Sequence, residues 1–436
     1  MQHIHFRGQA LTLCLFFCFC LSAQAEVFSK PDIIEDNVAF WKKIYAEVPL
    51  TKGLLHDHEY PMVIYGEYEI GKREGEERRN YIRSIRKPIE ESINRIKTLP
   101  ESKWTDLDKK IATMFEEHAE EGALTDAVER IRFQNGQKER FMEGLRLSGM
   151  YLDTIRFILR KYEVPEKLAY LPHVESSFLP NAMSHAGAAG MWQFMRGTGR
   201  EYLEINDYVD ERLDPIYSTY AAAEMLAGNY AQVNNWPLAI TGYNYGINGI
   251  RRAVSTLGSN DFETVLTKHS SRTFKFSSRN FYACFIAASD IAENPDDYFD
   301  EIDFNPKREF RELRLEYWMK PSVLAKYLGM DIETMRLINP AVRSRVFTED
   351  LMIPKGTRIR VPSELTEAEV AYAIERIPAA DKSSAPPVIT YRVRRGDTLS
   401  RIAERHGSSI SRIMGFNNIL RPDRIYVGQV LKIPRN

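Results

Sequence analysis

The sequence predicts a mainly α-helical protein that ends in small repeated modules of mixed structure. Two patterns carry that prediction. Apolar residues recur at helical spacing from about 138 to 300, as in Leu145, Met150, Leu152, Ile155 and Leu159. In the last third, two segments repeat each other, Leu324–Pro340 and Ile402–Asn418, with Gly329 matching Gly407, Ile332 matching Ile410 and Asn339 matching Asn417. Composition agrees: 44% hydrophobic and 27% charged residues are ordinary for a folded globular chain.

The same arithmetic excludes several classes. At 436 residues the chain has room for about three domains. A formal charge of −1 supplies no global basic field to hold nucleic acid. Four Cys cannot staple a disulfide scaffold of this size. The only continuous apolar run lies at the extreme N-terminus, which rules out a multi-spanning membrane protein.

Residues 1–25 read as an export signal: Arg7, then the apolar core Leu11–Leu21, then Ala23-Gln24-Ala25 before Glu26. Cys18 and Cys20 follow Phe rather than small residues, which argues against a lipid anchor. Cys284, in FYACFIAA, is then the remaining Cys and reads as a small buried hydrophobe.

Residues 26–137 form a helical and mixed region. Trp41–Val48 and Tyr81–Thr98 have helical periodicity, Pro61–Ile70 reads as a strand, and Lys72–Arg86 as a solvated helical face. His56-Asp57-His58-Glu59 lacks helical ligand spacing and reads as a polar loop, so no metal site is assigned. Between 138 and 300, helices are expected over Phe141–Tyr162, Tyr217–Tyr230 and Phe281–Ile291. Residues 308–362 and 390–436 are the two repeats, each expected as two short helices and a strand. Residues 363–389, with a helical start and then DKSSAPP, read as a flexible link. Residues 391–436 carry ten basic side chains against Asp397, Glu404 and Asp423, a net +7 that leaves −8 elsewhere.

The densest chemistry lies in YLPHVESSFLPNAMSHAGAAGMWQFM, residues 170–195. Glu175 is flanked by Leu168, Leu171, Val174, Phe178 and Leu179. A carboxyl desolvated by such neighbours holds its proton and can deliver it to a leaving oxygen, an environment for which lysozyme is the standard example. From spacing alone Glu175 is equally a helix-terminal or surface residue. Ser184 and Gln193 offer the hydrogen bonds a sugar needs, and Gly187 and Gly190 allow close backbone approach. Tyr243 and Asn244, in TGYNYG, sit at an expected helix end, where a core aromatic and a cap are the alternatives. Asp207, Asp210 and Glu211 are expected to cap or stabilise a helix start.

ESSF at 175–178, SHAGAAGMWQF at 184–194 and GYNYG at 242–246 resemble, in order, the three motifs of the Slt-type lytic murein transglycosylases; VDERLDP at 209–215 matches a segment between the second and third. Residues 391–434 resemble a LysM peptidoglycan-binding module. Met191 stands where the family has Leu or Ile, a volume-conserving change. Gly242 and Tyr245 replace Ala in the third motif.

The resemblance implies a lysozyme-like α-rich catalytic domain over 138–300, followed by βααβ LysM modules. It implies cleavage of the β-1,4 bond between N-acetylmuramic acid and N-acetylglucosamine, with Glu175 as the one acid and base and a 1,6-anhydro product. Tyr243 would hold Glu175. Ser184, Met191, Gln193 and Asn244 would meet the sugar, and Gly396, Asp397, Thr398 and Asn417 would belong to the LysM glycan site. No cofactor is required, and the partner implied is the peptidoglycan glycan strand of the periplasm. The first repeat lacks the Gly-Asp-Thr-Leu start seen at 396–399 and reads as a relic that no longer binds sugar.

Overall fold

The computed structural model describes residues 27–434; the export-signal reading lies outside them. The described residues are mainly helical, with three small antiparallel sheets among them. They divide into two compact units, 27–178 with 222–306, and 179–221 with 307–434.

In the first unit, strands β1 (Lys52–Asp57), β2 (Ile64–Glu69) and β3 (Ile131–Asn135) form a sheet of order β2-β1-β3. The helix Gly75–Thr98 lays Ile89, Ile93 and Ile96 into a core shared with Leu55, Val63, Ile111 and Phe115. Each fully buried aliphatic or aromatic side chain there contributes about 1.5–3 kcal/mol. The helix Asp106–His118 begins on a capping box between Thr105 and Asp108. Arg95 and Ser92 also bond the Asp108 carboxylate, and these contacts, Arg95 foremost, with those from Thr105 hold it well below the usual carboxylate range.

His56 and Asp57 are not a polar loop. They end β1, fully buried. His56 lies against Phe40, with ring centroids 4.3 Å apart, and burial drives its pKa to about 3, so it stays neutral. Asp57 is clasped by Arg130 Nε at 2.9 and 3.0 Å. The sequence cluster is therefore divided between a ring packing and an ion pair.

The helices Glu35–Ala46 and Phe276–Glu293 pack on each other. The Asn280 side-chain oxygen accepts from Asn37 at 2.8 Å and Trp41 at 3.1 Å, locking their register. The periodicity over 141–162 is one pattern but two helices, Lys138–Ser148 and Leu152–Lys161. The break falls at Gly149, where a Cβ would lie 2.5 Å from the Asn305 carbonyl; Asn305 in turn donates to Arg146 O at 2.9 Å. A distant segment sets the break, which local spacing cannot reveal.

In the second unit, the first repeat pairs β4 (Phe310–Arg314) with β5 (Arg358–Pro362) around the helices Pro321–Leu328, Ile332–Ile338 and Ser344–Thr348. The second pairs β6 (Val388–Arg392) with β7 (Val430–Pro434) around Leu399–Arg405 and Ile410–Phe416. The predicted repeat is thus present as βααβ, with one extra helix in the first copy. The stretch read as a flexible link is partly built in. The helix Glu367–Glu375 buries Val370 in the first repeat's core, with Ile377 just beyond it, and Ser383 pairs with Trp318.

Candidate active site

The helix Leu171–Glu175 is five residues long and ends on the candidate acid. What stops it is a left-handed turn built without glycine: Ser177 and Phe178 have φ of 54° and 58°. Two consecutive non-glycine residues there cost conformational energy, and such strain concentrates at functional sites. The turn persists because Phe178 is fully buried and lies tilted against His173, ring centroids 4.5 Å apart, while Ser176 and Phe178 N–H both donate to Pro172 O.

His173 is itself buried between Phe141 and Phe178, and burial takes its pKa to about 3. It is a neutral packing ring, two residues before the acid. Its neighbour helix approaches closely through Gly144, where a Cβ would come 3.1 Å from His173 Nδ1.

Glu175 is half-buried, yet enclosed densely enough that desolvation lifts its pKa to about 8. The carboxyl is therefore protonated at neutral pH. Tyr243, near the end of the helix Trp236–Tyr245, lies within electrostatic reach of Glu175 and is itself pushed well above the usual phenol range, by burial first and by that carboxylate second. Asn244 is exposed, and its side-chain oxygen accepts from Ser278 Oγ at 3.1 Å. The structure thus brings Glu175 and Tyr243 together.

Tyr45 and Cys284 join the same neighbourhood, and sequence reasoning missed both. Tyr45 lies on the helix Glu35–Ala46, far from the motifs in sequence, stacked on Phe141 at 5.1 Å. Its hydroxyl donates to the Cys284 thiol, and both groups feel the Glu175 carboxylate. Cys284 is buried as expected, but it is also a hydrogen-bond acceptor. No local signal marks Tyr45; only the packing of its helix delivers it.

The loop 184–194 lies in the second unit and is shaped by bonds within it and to its neighbours. Ser184 Oγ accepts from Ala188 N–H at 2.9 Å. Gly190 has φ +81°, and a Cβ there would lie 1.7 Å from Arg212 O, so no other residue fits. Gln193 adopts φ 51°, with its Nε2 donating to Gly190 O at 2.7 Å and to Ala182 O at 3.3 Å. Trp192 is fully buried, and its Nε1 donates to Thr219 at 2.8 Å. Met191 is fully buried as well, so in this conformation its side chain packs inside the protein. Ser184 and Gln193 remain partly accessible.

The acidic residues after this loop differ from expectation. Asp214 caps the helix Pro215–Val233, accepting from Ile216 and Tyr217 N–H at 2.9 and 3.1 Å. Asp210 and Glu211 instead form ion pairs, with Arg212 and Arg343 for the former and Arg358 for the latter.

In the last module, Gly396 turns at φ +87°. Asp397 accepts from Tyr391 at 2.7 Å and Arg394 N–H at 2.8 Å. Thr398 caps the next helix. Asn417 bridges Ile413 O and Lys432 O, at 2.7 and 2.6 Å. These side chains shape the loops of the module from within.

Residues 153–266 match the family described as Transglycosylase SLT domain, and residues 391–434 the LysM domain. The chain is 29% identical over 290 residues to membrane-bound lytic murein transglycosylase D of Escherichia coli, covering 65% of this chain and 63% of that one. It therefore spans just under two thirds of the length of that relative. A shorter stretch of 69 residues is 41% identical to the N-acetylmuramoyl-L-alanine amidase XlyB of Bacillus subtilis, 16% of this chain and 21% of the other. Among solved structures, lytic transglycosylase Slt of Pseudomonas aeruginosa aligns with a TM-score of 0.29 at 17% identity, over 36% of this chain and 25% of that one.

Proposed function

From a chain that carries a transglycosylase SLT domain at 153–266 and a LysM domain at 391–434, we propose a lytic transglycosylase of peptidoglycan. The observation that carries the reading is Glu175, a carboxyl held protonated at neutral pH by burial at the end of a strained short helix.

In this reading Glu175 gives its proton to the glycosidic oxygen between N-acetylmuramic acid and N-acetylglucosamine as the bond to the anomeric carbon breaks. The resulting carboxylate takes the proton of the muramyl C6 hydroxyl while that oxygen bonds to the anomeric carbon. A 1,6-anhydro ring forms, no water is consumed, and Glu175 is protonated again. Glycosidases commonly use two carboxylates; here the substrate supplies its own nucleophile. Tyr243, within electrostatic reach of Glu175, holds it in place. Ser184, Gln193 and Asn244 contact the sugars, and Met191 supports that loop from inside. The LysM module retains the enzyme on glycan strands. The domains follow as 138–300 for catalysis and 390–436 for binding, and the signal read at 1–25 delivers the protein to the periplasm. No described helix is long and apolar enough to cross a membrane.

Product mass decides the matter. Digestion of purified sacculi is expected to release muropeptides one water lighter than those from a muramidase. Hydrated reducing ends would make the enzyme a hydrolase on the same domain, and intact sacculi would leave a wall-binding scaffold.

A further inference from the structure

The loop that carries Ser184, Met191 and Gln193 is braced by a single arginine. Arg212 Nη1 donates to Gly187 O at 3.0 Å and to Phe194 O at 3.1 Å, spanning both arms of the loop. Its Nε and Nη2 donate to the two oxygens of Asp210, each at 2.8 Å. Asp210 has a second partner from far along the chain. Arg343, between two helices of the first repeat, reaches Asp210 at 3.1 Å and donates to Asn206 O at 2.8 Å. Backbone bonds seal the same junction: Asp210 N–H to Ala341 O at 2.7 Å, and Arg343 N–H to Tyr208 O at 2.8 Å.

Strand β5 adds two more arginines. Arg358 bonds Glu211 at 3.0 Å and lies 3.9 Å over the Tyr217 ring. Arg360 bonds Asp214 at 2.7 Å, and the Tyr217 hydroxyl donates to Glu312 of β4. Asp210, Arg212, Asp214 and Arg360 are all less than 5% exposed. Four buried charges, mutually paired, mean a built junction rather than a passing surface contact.

The second repeat is a control within the same chain. Asn339 bridges Met335 O and Arg360 O, as Asn417 bridges Ile413 O and Lys432 O, which fixes the register of β5 on β7. In that register Arg358 corresponds to Val430 and Arg360 to Lys432. Neither strand arginine is thus repeated as an arginine in the second copy; Arg343 does have a counterpart, Arg421 four residues after Asn417, but that one pairs locally with Asp423 at 3.0 Å.

We propose that the first repeat, 308–362, has become a brace for the sugar-contacting loop, with Arg343 as a positioning residue that acts through Asp210 and Arg212 on Gly187 and Phe194, and with Arg358 and Arg360 anchoring the adjoining Glu211 and Asp214. The proposal rests on the reading of 184–194 as a substrate loop.

The test uses the full chain with Arg343→Met, Arg343→Lys and, as a milder change at a more exposed side chain, Arg358→Met. Hydrogen exchange is followed at Ala189 and Gly190, whose N–H groups donate to Phe194 O and Ala182 O, and KM and kcat are measured on soluble glycan chains. Arg343→Met is expected to speed exchange of those amides about tenfold and to raise KM several-fold with kcat nearly unchanged. Arg343→Lys restores most of both. Arg358→Met shows the same pattern, smaller. Loop exchange that stays at the wild-type rate in folded Arg343→Met and Arg358→Met overturns the brace. So does acceleration spread evenly over both units. A wild-type protein that cleaves no glycan defeats the functional reading instead, and the exchange data still decide the brace.

Discussion

The Tyr45 hydroxyl donates a hydrogen bond to the Cys284 thiol beside Glu175. One partner comes from the N-terminal region whose purpose the sequence left open, the other from the helix Phe276–Glu293. Both groups are buried and feel the Glu175 carboxylate, so the acid's surroundings draw on both ends of this unit's sequence.

Replacing Cys284 by Ala leaves the buried Tyr45 hydroxyl without its acceptor. A loss of about 1–3 kcal/mol is expected, read from urea unfolding, and Tyr45→Phe in the same background recovers part of it. The Cys284 thiol of the folded protein is expected to resist thiol reagents until denaturant is added, since burial raises its pKa and hides it.

Glu175→Gln is expected to reduce release of anhydromuropeptides at least about a hundredfold, the lower end of what a general acid contributes, with an unchanged circular dichroism spectrum. Near-wild-type turnover would refute Glu175 as the acid.

The pH profile follows from the raised pKa. Below about pH 8 Glu175 carries its proton and can act; above it the acid is lost, so kcat/KM should fall with rising pH through about 8. Stability runs the same way. The group favours the fold fully below its unfolded pKa, near 4.5, and that contribution disappears as pH climbs to about 8. Glu175→Gln should therefore match the wild-type Tm near pH 4 and exceed it at pH 8. A constant Tm difference across that range would contradict the assigned burial.

Arg360→Met strands the Asp214 carboxylate, which is 2% exposed. Breaking a buried pair from one side costs about 3–5 kcal/mol. The double variant with Asp214→Asn should recover much of the loss, measured by thermal unfolding.

Deleting 390–436 is expected to weaken retention on sacculi in a pull-down while short soluble glycans are still cleaved. Unchanged retention would remove the anchoring role of the module.

Much of this protein was legible in its residue order. Glu175 with its apolar neighbours, the loop with Gly190 and Gln193, and the Asn339–Asn417 repeat are all local patterns, because a helix face, a tight turn and a β-strand each leave a signature within a few residues. Tertiary structure decided the rest. Gly149 breaks a helix because Asn305 passes over it. Asp210 and Glu211 become ion-pair partners because Arg343 and Arg358 arrive from more than a hundred residues away. Tyr45 reaches the acid's surroundings only through the packing of two helices distant in sequence. Periodicity reports what a segment does with its own neighbours; burial and charge pairing depend on which segments meet, and that is settled only when the chain closes on itself.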